Sequence, residues 1–564
     1  MRASTMAYFR NAAACAKMTV GDRPPEYRLR SSHQLFQEIL CMFHRSLAEL
    51  HDLGLVRGEA STYVLIATLY RPPVWAGHLQ AFDDVLDNLR SAETFFLQAR
   101  DNFKAFQGWE AIQKVRLSAK EFDANILFPL AISVVLAIPD PMERSRKIWT
   151  WIQKSKAQGL VRLLELELAT EGAKVGAQEK GQNSAKRRLR EIEAEATQSE
   201  LDQLEALSSA ANSEVVFVNW YSHPSAPHLQ DIILAAVFRP GKSIKAFPLK
   251  ISLSEVNHLA NKLFSGDEQE LKKSDIEREF QKLVPLVEPL KRLSNPGDTL
   301  VFLPSGLMHR IPLHALKLDD EILIRRNAIV YSSSTAVLLH AFHTRRSYER
   351  QIDNGIRNWQ AAVFGDPSLE AGKPAILSVA EAFDVSPHLT SETFTRGAFT
   401  RSIRHTSLFH YHGHANFQED QPLEHFLKFS DADVTMRDIF DLHPVATSYH
   451  ATLLGCGSSM SRISSSNEIF GLVPAFEYAG AASTISTLWK IDDVDAATFS
   501  KEFYAAFSST PDLDVSAGYV DLAKALQRAT LLLMDERPAL YHWAPFVLNG
   551  WWIYRPQHTV RAES

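Results

Sequence analysis

The sequence predicts an α/β domain with a mostly parallel sheet, preceded by an all-helical region. Three observations lead to this prediction. Helical periodicity with proline breaks dominates residues 31–170, and short apolar runs alternate with helical stretches from about Ser213 on. Two of those runs end in residues that can carry chemistry, at His412 and Cys456. Strands that alternate with helices are typical of parallel sheets, because a parallel connection has to cross back over the sheet.

Length and composition limit the class of protein. A chain of 564 residues is too long for one hydrophobic core and is expected to form two or three domains. Hydrophobic residues make up 45% and charged residues 22%, as in ordinary soluble globular proteins. The net charge of -6 gives no electrostatic reason for nucleic acid as a partner, so none is expected.

Cysteine usage and the apolar runs bear on location. The chain has three cysteines, Cys15, Cys41 and Cys456. A small, odd number of cysteines does not form a disulfide framework, which favours a reducing intracellular compartment. We expect an intracellular, cytoplasmic protein, with a nuclear location as the alternative. The N-terminus lacks the features of a secretion signal. The most apolar run, 128–139, is about half as long as a bilayer-spanning helix, so we expect a buried helix and no membrane partner.

Four segments follow from the changes in pattern: a weakly ordered N-terminus at 1–30, a helical region at 31–170, a polar linker with an exposed helix at 171–212, and the α/β domain at 213–556. Within the helical region, Arg71-Pro72-Pro73 and Pro139-Asp140-Pro141 are helix breakers that mark hairpins. Stacked helix pairs of the tetratricopeptide type fit this layout, and an irregular helical bundle is the alternative.

Strands of the α/β domain are predicted from short β-branched or aromatic runs. Five stand out, at 215–218, 232–238, 244–249, 300–303 and 361–364. Asp275 to Arg292 is predicted to be helical between two of them.

Two further apolar runs, 408–414 and 451–459, deliver the reactive residues. In an α/β sheet, sites collect outside the carboxyl ends of the strands, so His412 and Cys456 are predicted to meet at one edge. A free thiol titrates at about 8.5 and needs a nearby imidazole to ionise near neutral pH. The backbone N–H groups of Gly413 and Cys456 are the candidate oxyanion-hole donors, because a neighbouring glycine lets the backbone approach a substrate carbonyl.

Simpler interpretations exist for these residues. A single cysteine at a strand end is usually a small buried hydrophobe. The alternating His410, His412 and His414 could be metal ligands, but no carboxylate or cysteine cluster accompanies them, so no metal site is expected. We interpret His410 and His414 as packing residues near the dyad.

These motifs resemble the CHAT domain, a caspase-like cysteine peptidase family related to the separases. The similar segments are His412-Gly413, Leu454 to Ser459, Asn467 to Leu472, Tyr478 to Asp493 and Tyr541 to Gly550, with Leu303 to Gly306, Ile311 to Leu316 and Phe364 to Pro367 upstream. Trp151 to Ala157 resembles the helix that commonly joins tetratricopeptide repeats to a CHAT domain. The resemblance covers roughly residues 140 to 555.

The resemblance implies roles for particular residues. His412 takes the place of the family's catalytic histidine and Cys456 that of its catalytic cysteine. In separases an aspartate just after the tryptophan that matches Trp489 binds a basic P1 side chain. This implies Asp493, or as second choice Asp492, for P1 binding. The alternative is that the acidic residues cap the following helix, although one aspartate would suffice for that.

The function expected from the residues and the resemblance is that of an intracellular cysteine endopeptidase that needs no cofactor. It would act on a protein substrate with a basic P1 residue, and its helical region would bind a regulatory protein. Two alternatives stay open. One is a catalytically inactive scaffold with the same fold, and the other is an acyl hydrolase or transferase that uses the same dyad.

Overall fold

The computed structural model describes most of the chain downstream of residue 200 and parts of the chain before it. The described residues are 32–53, 59, 62–66, 90, 128–136, 138–156, 200–211, 213–222, 231–263, 276–356, 358–416, 424–441, 449–455, 458, 462–463, 469–508 and 519–555. The predicted weakly ordered segment 1–30 and the predicted break at Arg71-Pro72-Pro73 lie outside them.

The chain divides into two compact units, and the described helices up to Ser155 belong to the first. These are α1 (Ser32–Asp52), α2 (Phe128–Leu136) and α3 (Pro141–Ser155). The break predicted at Pro139-Asp140-Pro141 separates α2 from α3. Most of α2 is buried, as predicted from its apolar run. No helix among the described residues combines the length and apolar character that crossing a membrane requires. The helical region is therefore present, and its tetratricopeptide pairing stays a prediction.

Every described residue from Lys156 on belongs to the second unit. Its strands are β1 (Val215–Tyr221), β2 (Ile232–Phe238), β3 (Lys245–Ser252), β4 (Thr299–Leu303), β5 (Lys317–Leu318), β6 (Glu321–Ile322), β7 (Ala328–Tyr331), β8 (Ala361–Gly365), β9 (Leu408–Gly413), β10 (Ala415–Asn416), β11 (Phe426–Leu427), β12 (Val434–Thr435), β13 (His450–Gly455), β14 (Arg462–Ile463), β15 (Ile469–Phe470), β16 (Ser483–Thr487), β17 (Val520–Asp521), β18 (Phe546–Gly550) and β19 (Ile553–Tyr554).

Helices of this unit cover the sheet and connect its strands. They are α4 (200–210), α5 (Leu253–Leu263), α6 (Ile276–Phe280), α7 (Leu290–Leu293), α8 (Leu323–Arg326), α9 (Thr335–Asp353), α10 (Lys373–Ala382), α11 (Arg396–Ile403), α12 (Met436–Asp441), α13 (Leu472–Tyr478), α14 (Asp493–Ser508), α15 (Leu522–Glu536) and α16 (Leu540–Trp543). Three 3₁₀ turns occupy Gln281–Leu286, Gly306–Arg310 and Leu313–Ala315.

The main sheet has ten strands in the order β3-β2-β1-β4-β7-β18-β16-β13-β9-β8. Eight of its strands form two parallel blocks, and β2 and β3 continue the sheet beyond β1 with antiparallel pairing. One block runs β1-β4-β7-β18 and the other β16-β13-β9-β8, and the blocks meet where β18 pairs antiparallel with β16. The carboxyl ends of the two blocks therefore lie at opposite edges of the sheet. The prediction of an α/β domain with a mostly parallel sheet is confirmed.

Burial of the central strands matches their apolar sequences. All residues of β4, β9, β13 and β16 are buried, as expected for strands that are covered on both faces. Helix α14 packs against α10 and α15. This position places the first residue of α14 beside the carboxyl ends of β8 and β9.

Two details differ from the predictions. The helix expected over Asp275 to Arg292 is interrupted, because Pro285 lies inside a 3₁₀ turn and Pro289 precedes α7. The linker helix α4 is not simply exposed, since Leu204 and Leu207 on one of its faces are fully buried. Helix α4 lies within the second compact unit, and the domain start at Ser213 stays a prediction.

Candidate active site

Strands β8, β9 and β13 bring the predicted catalytic segments to one edge of the sheet. His412 pairs in register with Gly365 of β8, and Gly413 pairs with Gly455 of β13. Cys456 follows Gly455 directly in the sequence, although Cys456 and Gly457 lie outside the described residues. The prediction that the two strands end side by side is therefore confirmed, and the contact between the thiol and the imidazole stays a prediction.

Residues on both sides of Cys456 are tied to the sheet. The Ser458 N–H donates to the Gly455 carbonyl at 3.0 Å, and the Ser458 hydroxyl donates to the Leu453 carbonyl at 2.6 Å. From β16, the Thr487 N–H donates to the Ser458 hydroxyl at 3.0 Å and the Thr487 hydroxyl donates to the Gly455 carbonyl at 2.8 Å. The sequence analysis missed this anchoring role of Ser458 and Thr487. The only sequence feature that could have indicated this role is the small polar residue that follows Gly-Cys-Gly.

His412 is held at its backbone and at one ring nitrogen. Its side chain is 1% exposed, and its carbonyl accepts the backbone N–H of Asp366 at 2.8 Å. Nε2 lies 2.8 Å from Oδ1 of Asp493, whereas Nδ1 is buried and has no hydrogen-bond partner among the described residues. The ring therefore has one fixed nitrogen and one that is available to another group.

Asp493 is the first residue of α14 and is in contact with His412. Its Oδ2 accepts the backbone N–H of Gly372 at 3.0 Å. Burial by itself raises the pKa of Asp493. The hydrogen bond and charge of His412, together with the N–H groups of Gly372 and Ala371, outweigh burial, so the pKa lies below the ordinary value of an aspartate. Asp493 is therefore ionised at neutral pH.

The other two acids of this run face a different set of groups. Arg537 forms an ion pair with Asp495 and lies 3.3 Å from Asp492. Nδ1 of His542 is 2.7 Å from Asp495, and the Tyr541 hydroxyl donates to Asp492 at 3.4 Å. Burial raises the pKa of Asp495, against the opposing effect of His542 and Arg537. Ligand atoms of Asp492, Asp495 and His542 lie within 4.8 Å of one another, as in a metal site, but Arg537 already supplies the positive charge.

His410 and His414 occupy different environments from His412. His410 is fully buried, with Nδ1 at 3.2 Å from the Tyr504 hydroxyl, which in turn donates to Thr452 at 2.8 Å. Burial, with the charges of neighbouring histidines, holds the pKa of His410 well below its ordinary value, so the ring is neutral. His414 lies beyond the end of β9. Of the three histidines, only His412 lies at the strand end and contacts a carboxylate among the described residues.

These features define a caspase-like α/β domain whose edge carries a buried, carboxylate-bound histidine beside the strand that leads into a cysteine. Residues 280–551 match the family model of the CHAT domain, and this part of the chain is a CHAT domain. The caspase-like fold predicted from the sequence is thereby confirmed. A comparison with curated proteins found no match.

Two of the solved structures to which this chain is similar are the following. The Saccharomyces cerevisiae separase–securin complex at 3.0 Å is similar with a TM-score of 0.46 and 11% identity, over 96% of this chain and 48% of that one. This chain thus spans about half the length of the separase chain. The complex of the pro- and mature domains of Porphyromonas gingivalis RgpB has a TM-score of 0.33 and 11% identity, over 53% of this chain and 75% of that one.

Proposed function

We propose that this chain is a cysteine endopeptidase in which His412 activates Cys456. The observation that supports the proposal is the state of the His412 ring. It is buried at the strand end next to Gly455, with Nε2 engaged by Asp493 and Nδ1 without a partner among the described residues. A buried imidazole with one free nitrogen next to a cysteine-bearing strand end is what a general base requires.

In the proposed reaction, the thiol proton of Cys456 moves to Nδ1 of His412. The thiolate attacks the scissile carbonyl carbon, and the backbone N–H groups of Gly413 and Cys456 stabilise the resulting oxyanion. The imidazolium then donates its proton to the leaving amine, which leaves an acyl-enzyme. Water hydrolyses the thioester and regenerates the thiol. These steps use protein groups and water.

A basic P1 residue is the proposed specificity. Asp493 is the first choice for binding it and Asp492 the second. The pairing of Asp492 with Arg537 supports this order, because a guanidinium already faces that carboxylate. Asp493 has no arginine or lysine partner among the described residues, and 20% of its side chain is exposed. Arginine is expected to be preferred over lysine, because its guanidinium can bind a carboxylate through two hydrogen bonds.

A protein partner of the helical region is part of the same proposal. A surface of stacked helices is suited to binding an extended protein segment. The substrate would be a protein, and the helical region would bind it or a regulator of the peptidase domain.

Covalent labelling tests the catalytic assignment. The full chain is treated with a peptidyl acyloxymethyl ketone with arginine at P1, and the labelled residue is identified by mass spectrometry. Labelling and cleavage of an arginine-P1 peptide should be lost in Cys456→Ala and in His412→Ala, and the double variant should be no worse, because the two residues act as a unit. Cys41, a free exposed cysteine, provides the matched control, and Cys41→Ala should behave as wild type.

The same experiment separates the alternatives. Labelling of Cys456 without cleavage of any peptide in a P1-scanning library would favour an acyl hydrolase or transferase. No labelling in a folded wild-type protein, or substantial peptide cleavage by Cys456→Ala, would contradict the peptidase assignment. The first of these results would favour the inactive scaffold.

A further inference from the structure

The carboxylate of Asp493 is held at both oxygens by groups of the candidate site. Oδ1 lies 2.8 Å from Nε2 of His412, and Oδ2 accepts the backbone N–H of Gly372 at 3.0 Å. P1 binding by itself does not require either contact. The carboxylate is thus oriented toward the imidazole although part of the side chain is exposed.

The position of the ring proton follows from this contact. An ionised carboxylate has no proton to donate, so Nε2 of His412 carries the hydrogen of the bond to Asp493. In the neutral ring the lone pair then belongs to Nδ1, which is buried and has no partner among the described residues. Nδ1 is therefore the atom that can accept a thiol proton.

We infer that Asp493 is a positioning residue that fixes the tautomer and orientation of His412, so that the site is a Cys456–His412–Asp493 triad. The catalytic meaning of this role rests on the function proposed above. A carboxylate at this distance also stabilises the imidazolium that forms when a thiol gives up its proton. The role goes beyond P1 binding, because it acts through His412 and does not depend on the substrate side chain.

The loop between β8 and α10 supports the same arrangement from a second direction. At its start, the Asp366 N–H donates to the His412 carbonyl at 2.8 Å. At its end, Gly372 approaches so closely that a Cβ atom there would lie 2.7 Å from both Nε2 of His412 and Oδ1 of Asp493. The loop thus fixes the backbone of His412 and the carboxylate of Asp493 together.

Charge around His412 comes from few groups. In the described part of the chain, Asp493 is the titratable side chain hydrogen-bonded to its ring, and the centre of the His410 ring lies 6.3 Å from the centre of the His412 ring. Burial lowers the pKa of His410 far enough that it stays neutral. Asp492 and Asp495 are directed to Arg537 instead. A change at Asp493 therefore removes the one negative charge that contacts His412 among the described residues.

The test compares Asp493→Asn with wild type in the full chain. One readout is kcat and KM for two peptides that differ only in arginine or alanine at P1. The other is the rate of iodoacetamide alkylation of Cys456 as a function of pH, followed by mass spectrometry with Cys41 as an internal reference. Glu370→Gln is the matched control, because it removes one negative charge from the same loop at a side chain that is 79% exposed and pairs with Lys373.

A triad predicts that Asp493→Asn lowers kcat by about 10²–10⁴-fold on both peptides, because an amide can hold the wrong tautomer. The onset of Cys456 alkylation should move to higher pH, and Glu370→Gln should leave both readouts unchanged. Asp493→Ser, which removes the carboxylate and keeps a residue suited to a helix start, repeats the test if the asparagine variant is poorly folded.

Other outcomes separate this inference from the proposed function. If Asp493→Asn loses only the arginine-P1 peptide, with the alanine-P1 peptide and alkylation unchanged, Asp493 binds P1 and does not position His412. If wild type cleaves no peptide but its Cys456 alkylation depends on Asp493, the triad stands and the peptidase assignment fails. If alkylation does not depend on Asp493 in that case, the inference fails as well.

Discussion

Gly372 lies where a side chain would collide with both members of the His412–Asp493 pair. A Cβ atom there would be 2.7 Å from Asp493 Oδ1 and from His412 Nε2, and 2.9 Å from His412 Cε1. The backbone itself would accept alanine, since Gly372 has φ -73° and ψ -27°. Gly372→Ala therefore tests the geometry of the site with little local backbone strain.

The size of the effect follows from the distances. Ordinary contact begins at 3.4 Å, so a contact of 2.7 Å requires a displacement of 3.4 - 2.7 = 0.7 Å. A misplacement of about 1 Å at a catalytic group costs about 10²-fold in rate, so we expect Gly372→Ala to lower kcat by about 10- to 100-fold. Crowding of this kind typically costs about 1–3 kcal/mol of stability. The loss of rate should thus be seen in a folded protein.

Peptide cleavage and thermal unfolding of the full chain are measured in parallel. Gly397→Ala is the matched control, because Gly397 lies in the first turn of α11 and its added Cβ would be 3.5 Å from the Arg401 guanidinium, an ordinary contact. This variant should keep its activity and gain up to about 1 kcal/mol of stability from helix propensity. Wild-type kcat in Gly372→Ala would refute the tight packing of the loop against His412 and Asp493.

Three further predictions follow from buried groups and from the domain boundary. Burial raises the pKa of Glu477 from 4.5 to about 8. The free energy of unfolding should therefore be highest below pH 4.5 and fall by at most about 5 kcal/mol as the pH rises to 8. Urea unfolding at several pH values should show this decrease in wild type and not in Glu477→Gln. His410→Ala should cost about 2–4 kcal/mol of stability, because it leaves a cavity and removes the hydrogen bond between His410 and the Tyr504 hydroxyl. The folded variant and His414→Ala should both keep measurable peptidase activity. A truncated protein that begins at Ser213 should unfold at a lower temperature than one that begins at Pro141, because it lacks α4 and the buried Lys156. Nζ of Lys156 donates to the carbonyls of Leu303 and Pro304. Equal unfolding temperatures of the two proteins would contradict this prediction.

The strand ends could be predicted from the sequence because each carries a local pattern. Apolar runs that stop at Gly413 and Gly455 indicate buried strands and give their position, and parallel pairing then brings the ends together. The direction of β18 could not be predicted in this way. An apolar run has the same sequence pattern whichever way the strand points. The antiparallel pairing of β18 with β16, and with it the reversal between the two blocks, depends on the connections across the whole domain.

Contacts between residues that are far apart in the sequence could not be predicted from it either. Asp493 is 81 positions from His412 and 121 from Gly372, and no local pattern links them. Gly372 in particular has no distinctive neighbours in the sequence. Its significance arises only when the loop after β8 folds over the end of β9.

The run Asp492-Asp493-Val494-Asp495 shows why counting carboxylates in a sequence is a poor guide to a pocket. Successive residues at the start of a helix point about 100° apart, so residues three apart share a side and the two residues between them face elsewhere. Asp492 and Asp495 share the side of Arg537, whereas Asp493 faces His412. Arg537 pairs with Asp492 and Asp495, which leaves the Asp493 carboxylate for the imidazole and for the basic P1 side chain proposed above. Preference for arginine at P1 and basicity of the dyad would then depend on the same residue, so a substitution of Asp493 that abolishes the preference should also slow cleavage of peptides that have no charge at P1.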